Sequence, residues 1–330
     1  MKRALTGIKP TGIPHIGNYF GAIKPGLELA ENYQAFYFIA DYHALNQIKD
    51  SKQLKDSSYQ VAAAWLACGL DPKKTLIYRQ SSVPETFELS TILAAFTPKG
   101  LMNRAHAYKA VVAQNEEAGK NTDDGVNMGL FTYPILMAAD ILLFDADVVP
   151  VGKDQKQHLE MAIDIAQTIN YTYQKELLKI PEPVIRTETE TVIGLDGRKM
   201  SKSYNNVIPL FLPAGQLRKH VMRIVTNSQT VEESKDPETC NIFALYKLFA
   251  SKHEQEALAK MYRDGGMGWG VAKQTLFEKM DIELTPYRNH YDELMSDKAQ
   301  IDKILDEGSA LARSIAVRKM AKLRKALGVG

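Results

Sequence analysis

The stretch "GIKPTGIPHIGNYFG" (7–21) holds three glycines, two prolines and a histidine within its first eleven residues, then turns into helix-forming sequence. Residues 3–8 before it read as a short strand, and a helix is expected from Gly17 to about Glu31. A strand that enters a rigid Gly/Pro loop and leaves it as a helix is the first unit of an α/β fold. The pattern then repeats. "AFYFIAD" (35–41) is aromatic and β-branched, "SKQLKDSSYQVAAAWLACG" (51–69) is helical, "TLIYRQ" (75–80) is a strand, and "PETFELSTILAAF" (84–96) opens with a first-turn proline. This alternation predicts a parallel sheet covered by helices.

Beyond residue 96 the rhythm breaks. Segment 98–145 reads as helices around the polar loop "NEEAGKNTDDG", an insertion into the sheet domain. "ADVVPVGKDQKQHLEMAIDIAQTI" restores strand, glycine turn and helix, and 184–212 is strand and loop. From 213 only helical patterns follow, with "DGGMGWG" (264–270) as a turn between helices. Three units are expected: an α/β domain over 1–212, a helical domain over 213–310, and a basic helix over 311–330 docked back on the body. In that last helix Ala312, Ala316, Met320, Leu323 and Leu327 fall at helical spacing, and residues 313–330 hold six Lys or Arg and no acid. A solvated basic face explains this composition; contact with RNA phosphates is the alternative.

Bulk composition narrows the class. The 330 residues exceed what one compact core usually holds. They are 45% hydrophobic and 24% charged, with a net charge of +2, which argues against a general nucleic-acid coat. Cys68 and Cys240 lie far apart in apolar runs, so free thiols are expected rather than a disulfide or a zinc site. The apolar run "VAAAWLACGL" is too short to span a bilayer, and "MKRALTG" lacks a signal-type apolar stretch. A cytoplasmic protein without membrane association is the expectation.

Two loops and one acid carry the chemistry. Parallel sheets bind ligands at the carboxyl ends of their strands, where helix N-termini offer unpaired N–H groups to anions. The 7–21 loop sits at such an end. Gly12 and Gly17 permit close backbone approach, and His15 and Asn18 add side-chain donors. G-x-G-x-x-G is absent, and "EEAGKNT" (116–122) lacks the first glycine of a P-loop, so it reads as a solvated turn. In "GLDGRKMSKSYNN" (194–206), Arg198, Lys199 and Lys202 crowd beside Ser201 and Ser203. This is either a mobile solvated turn or a cationic clamp for a polyphosphate. The acid is Asp140, which interrupts an apolar helix on the face shared by Tyr133, Met137 and Ile141. A buried carboxylate needs a partner. That partner is either an internal donor or a donor brought by the ligand.

"PHIGN" early and "KMSKS" late on one α/β chain resemble the two signatures of class I aminoacyl-tRNA synthetases. "YPILMAADILL" (133–143) and "VPVGKDQKQHLE" (149–160) are similar to the tryptophanyl-tRNA synthetase family. The motif matches are specific from residue 5 to 206 and loose in the helical part beyond. The resemblance implies a Rossmann-type catalytic domain with a helical insertion and an α-helical C-terminal domain that reads the tRNA anticodon across a homodimer. It implies ATP binding by Lys9, Pro10, Thr11, Gly17, Asn18, Gly152, Lys153, Asp154, Val192, Ile193, Lys199, Met200, Ser201, Lys202 and Ser203. His15, Asn18, Lys109, Lys199 and Lys202 are the expected catalytic group. Many relatives carry glutamine at Lys9 and threonine at His15. The tryptophan pocket is expected from Leu5, Gly7, His43, Tyr133, Met137, Asp140, Ile141, Val149, Val151 and Gln155, with Asp140 reading the indole N–H, a group that can only donate. The implied reaction makes tryptophanyl-AMP from L-tryptophan and ATP, then acylates tRNA(Trp). Magnesium would ride mainly on the ATP phosphates, and no protein-held metal is expected. A tyrosyl-tRNA synthetase stays open, because a phenol O–H would also suit Asp140. A non-catalytic tRNA- or tryptophan-binding paralogue and a small nucleotidylyltransferase are two further rivals. Intact "KMSKS" argues against the first, and chain length against the second.

Overall fold

The computed structural model describes residues 1–152, 155–185 and 192–329. In chain order the elements of the α/β part are β1 (Arg3–Ile8), α1 (Ile16–Asn18), α2 (Lys24–Asn32), β2 (Gln34–Ile39), α3 (Asp41–Ala44), α4 (Ser51–Ala67), β3 (Leu76–Arg79) and α5 (Glu85–Ala95). The inserted helices are α6 (Lys99–Met102), α7 (His106–Glu117) and α8 (Met128–Leu143), after which come β4 (Val148–Val151), α9 (Lys156–Tyr173) and β5 (Glu182–Ile185). The helical part consists of α10 (Ala214–Met222), α11 (Asn241–Lys247), α12 (Lys252–Asp264), α13 (Trp269–Ser296) and α14 (Lys298–Leu327).

The five strands form one parallel sheet in the order β3-β2-β1-β4-β5. Its centre is buried on both faces, which is why β2 reads "QAFYFI" without polar alternation. Ala35, Tyr37 and Ile39 face a core shared with α4 and with α10–α13. Phe36 and Phe38 face a second core built from α5, α8, α9 and the last turns of α14. The helical part therefore shares its core with one face of the sheet. The order reverses at β1, where β2 lies on one side and β4 on the other, so the crevice for a ligand opens at the carboxyl ends of β1 and β4.

Three local features differ from the sequence expectation. The first helix is not one α-helix over 17–31. A widened π turn, Tyr19–Ile23, separates α1 from α2, ahead of Pro25, which has no N–H to give the preceding turn. The strand expected to reach residue 80 ends at Arg79, and Gln80–Ser82 forms a 3₁₀ turn. The last helix starts at Lys298, so residue 311 lies inside α14. Ala312, Ala316, Met320 and Leu323 are buried in the second core, and Arg313, Lys319 and Arg324 pair with Glu85, Asp145 and Glu88. Half of the basic residues of 313–330 are thus held by acids of the body. Cys68 and Cys240 are free and buried.

Candidate active site

The two loops noted in the sequence meet in space. Leu210 N–H donates to Pro14 O at 2.9 Å and Ile16 N–H to Ile208 O at 3.0 Å, with an antiparallel bridge between His15 and Pro209. Lys202 Nζ donates to Thr11 O at 2.7 Å, and Gly17 N–H points to Met200 Sδ at 3.3 Å. A Cβ at Gly17 would stand 3.0 Å from the His15 ring, a tight contact that the ring would have to yield to. The distant loops are therefore one structural unit beside the carboxyl end of β1.

The interior of this unit corrects the anion reading of the helix start. The N–H groups of Ile16, Gly17, Asn18 and Tyr19 go to Ile208 O, Met200 Sδ, His15 O and His15 O. The first-turn donors are occupied by the protein, and α1 is only three residues long. The positive charge of this unit is carried by lysine side chains. Burial lowers the pKa of Lys9 and of Lys202. Both residues are exposed overall, and the shielding of their ammonium groups from water is partial. Lys199 is exposed at the rim of the same loop, and Ser201 and Ser203 bond to each other at 2.8 Å. Pro10 is buried, and the Asn18 carboxamide caps His15 N–H at 3.0 Å. His15 is buried and its pKa is pushed down to about 4, by burial first and Lys202 second. It is a neutral ring at physiological pH, a hydrogen-bonding group and not a cation. Its Nδ1 has no partner among the described residues.

The lysine loop is wrapped on a residue that sequence reading passed over. Val192–Met200 closes as a small hairpin, with Met200 N–H donating to Val192 O at 2.8 Å and Ile193 bridging Lys199. Asn206, fully buried, accepts from Ser201 N–H at 2.8 Å and donates to Asp196 Oδ1 at 2.7 Å and Lys199 O at 3.1 Å. The Asn206 bond, with Arg198 beside it, holds the Asp196 carboxyl down at about 2.

Next to Lys9 lies a cavity of about 590 Å³. Leu5, Gly7, Val149, Val151 and Gly152 line it from the ends of β1 and β4; His43, Tyr133, Met137, Asp140, Ile141 and Gln155 line it from α3, α8 and the start of α9. All ten residues expected in the amino-acid pocket are in this wall. Gly7 is required, since a Cβ would sit 2.7 Å from the Phe38 ring. Lys109 is exposed on α7 and is not part of the wall. Lys153 and Asp154 lie outside the described residues.

Asp140 does not wait for a ligand to find a partner. Its carboxylate takes His43 Nε2 at 2.8 Å and both oxygens take Gln80 Nε2 at 2.9 Å. Of the two sequence readings of this acid, the internal partner is the one observed. Burial raises its pKa, and the bonds to His43 and Gln80 oppose the rise. A carboxylate has about four lone-pair positions, so capacity remains for one more donor. Across the cavity His158 is fully buried and touches both Tyr133 Oη and Gln155 Oε1, the latter at 3.1 Å from Nδ1. One tautomer satisfies both contacts: Nδ1–H donates to Gln155, and Nε2 accepts the Tyr133 hydroxyl. Gln80 and His158 carried no periodic or spacing signal; each is polar and fully buried in an apolar neighbourhood, which only the fold reveals.

Comparison with known proteins fits this geometry. The model of class I tRNA synthetases for W and Y matches residues 1–285. The tryptophan–tRNA ligase of Bordetella parapertussis is 52% identical over 99% of the chain and 73% of its own length. The chain belongs to the tryptophanyl-tRNA synthetase family. The ligase of Neisseria meningitidis is 48% identical, covering 99% of this synthetase and 98% of its own length. The tryptophanyl-tRNA synthetase of Campylobacter jejuni, solved with ADP and tryptophan, is 45% identical with a TM-score of 0.92 over 99% of this chain and 100% of that one. The synthetase is therefore a class I tryptophan–tRNA ligase with a Rossmann-type sheet and a helical C-terminal part, and the tyrosine alternative is set aside by the identity of these relatives.

Proposed function

We propose that the synthetase activates L-tryptophan in the cavity beside Lys9 and passes the acyl group to tRNA(Trp), with the joined loops holding ATP. The observation that carries this reading is the adjacency of three things: the docked lysine loop, Lys9 in the cavity wall, and a largely apolar cavity with one buried carboxylate. The indole N–H donates to Asp140, and a Phe side chain would leave that carboxylate short of a partner. Gln155 and Tyr133 orient the α-ammonium and carboxylate. Gly17, Asn18, Thr11 and Pro10 follow the nucleotide along the first loop. Gly152, with Lys153 and Asp154, serves the ribose, and the backbone of Val192 and Ile193 serves the adenine.

The tryptophan carboxylate attacks the α-phosphorus of ATP in line; the α–β bridging bond breaks and pyrophosphate leaves. The terminal ribose hydroxyl of tRNA then attacks the carbonyl of the adenylate, and AMP leaves. No enzyme nucleophile takes part. Lys9, Lys199 and Lys202 counter the charge that spreads over the phosphates, with Met200, Ser201 and Ser203 shaping the loop around them. Neutral His15 offers a hydrogen bond without adding charge. Among the described residues no group of three or more His, Cys, Asp or Glu side chains converges to hold a metal. Magnesium is read as riding on the ATP phosphates, and no step here is routed through it. Exposed Lys219 and Arg223 on and just after α10 belong to the tRNA face of the helical part, while Arg218 is taken by Gln274 at 2.9 Å. A homodimer and a cytoplasmic location complete the reading; among the described residues no helix is long and apolar enough to cross a membrane.

ATP–pyrophosphate exchange with each of the twenty amino acids tests it. Exchange dependent on tryptophan is expected. Exchange with tyrosine alone, or none at all, overturns the assignment of this cavity.

A further inference from the structure

We infer that Gln80 is a specificity-determining positioning residue: it sets the Asp140 carboxylate for the indole N–H, and α14 fixes it there from behind. The inference rests on Asp140 being the indole reader. Gln80 is fully buried and does not line the cavity, so it acts through Asp140 and not on the ligand. Its Nε2 reaches both carboxylate oxygens at 2.9 Å. Its Oε1 is buried and has no partner among the described residues. A flipped amide would turn that oxygen onto the carboxylate. The amide is therefore held the one way that serves Asp140, at the cost of an unpaired carbonyl.

Both neighbours of Gln80 are anchored. Ser81 N–H donates to Asp41 Oδ1 at 3.1 Å at the start of α3, the helix that also carries His43. On the other side Arg79 binds two acids of α14, Asp302 and, at 3.0 Å, Asp306. Asp302 also accepts the Tyr59 hydroxyl at 2.9 Å. The helix lies against β3 so closely that a Cβ on Gly308 would stand 1.8 Å from Ile77 O. The 3₁₀ turn Gln80–Ser82 is thus clamped between the C-terminal helix and α3. The C-terminal helix, remote in sequence from every pocket residue, reaches the amino-acid reader through a single residue step, Arg79 to Gln80.

Gln80→Met keeps volume and removes the donor. The test compares tryptophan with β-(benzothiophen-3-yl)alanine, an isostere in which sulfur replaces the indole N–H, in pyrophosphate exchange over a pH series. Wild type should prefer tryptophan. In Gln80→Met, kcat/KM for tryptophan should fall by roughly 10- to 100-fold, mostly through KM, as expected for a lost hydrogen bond to a charged group, and the isostere should change by less than about threefold. Loss of the Gln80 bond also lets Asp140 titrate higher, so the decline of tryptophan kcat/KM on acidification should begin at higher pH, with the isostere's profile unmoved. Arg79→Met, which leaves Gln80 in place but cuts its tie to α14, should give a smaller loss of the same tryptophan-only kind. Equal losses for both amino acids, or an unchanged tryptophan preference in both variants, would overturn the role of Gln80. A wild-type enzyme indifferent to the isostere would overturn the indole reading of Asp140 itself, and this inference with it.

Discussion

Lys202→Met tests the joined loops most directly. The substitution keeps the aliphatic stem and removes the ammonium that donates to Thr11 O at 2.7 Å. Two losses follow. The first is a positive charge that, on the proposed reading, faces the phosphates; preorganised donors of this kind are worth roughly 2.7–4 kcal/mol in the transition state, or about 10²–10³ in rate. The second is one charge-assisted bond holding the lysine loop on the first loop, about 1.5–3 kcal/mol. Neither touches the amino-acid cavity, whose wall does not include Lys202. Single-turnover formation of the adenylate should therefore slow by about 10²-fold or more. Tryptophan affinity, measured by calorimetry without ATP, should stay within about twofold, since no contact of the cavity is removed. Lys202→Arg restores the charge with a different head and should recover part of the rate. Equal losses in rate and tryptophan affinity, or an unchanged rate, would refute the assignment of Lys202 to phosphate charge.

Two further outcomes are expected. Burial raises the Asp140 pKa above its ordinary 3.8, so a carboxylate that reads the indole would be lost on acidification earlier than an ordinary Asp; KM for tryptophan should rise as pH falls, and Asp140→Asn should abolish that dependence while raising KM at pH 7 by about 10²-fold or more, measured by pyrophosphate exchange. Gly308→Ala forces a Cβ onto Ile77 O and should cost about 1–3 kcal/mol or more, a melting temperature several degrees lower, whereas Gly270→Ala in α13, with nothing within 4 Å, should be neutral or slightly stabilising.

Much of the fold could be read before any coordinates. The aromatic and β-branched run "AFYFIAD" marked a buried strand, and the strand–loop–helix rhythm through residue 96 gave the parallel sheet. The helical face that joins Tyr133, Met137, Asp140 and Ile141 was legible because helix periodicity is a local property. The resemblance supplied the rest of the pocket, and those residues converge on one cavity. What escaped were features set by contacts between remote segments. The N–H groups at the start of α1 looked open to an anion, but residues 200 and 208 fill two of those positions and His15 O the others. An internal donor was one of the two readings of Asp140, but nothing local showed that Gln80 would supply it from the end of β3.

Sequence alone determined the order of strands and helices, the two loops and the apolar face that holds Asp140. These follow from backbone preference and periodicity, which act over a few residues. The tertiary structure decided which groups are already satisfied and which have capacity left for a ligand. It joined "PHIGN" to "KMSKS", left His15 neutral, and set Gln80 behind Asp140 with α14 behind both. Desolvation and hydrogen-bond saturation depend on every segment packed around a group, so they have no counterpart in a local stretch of sequence.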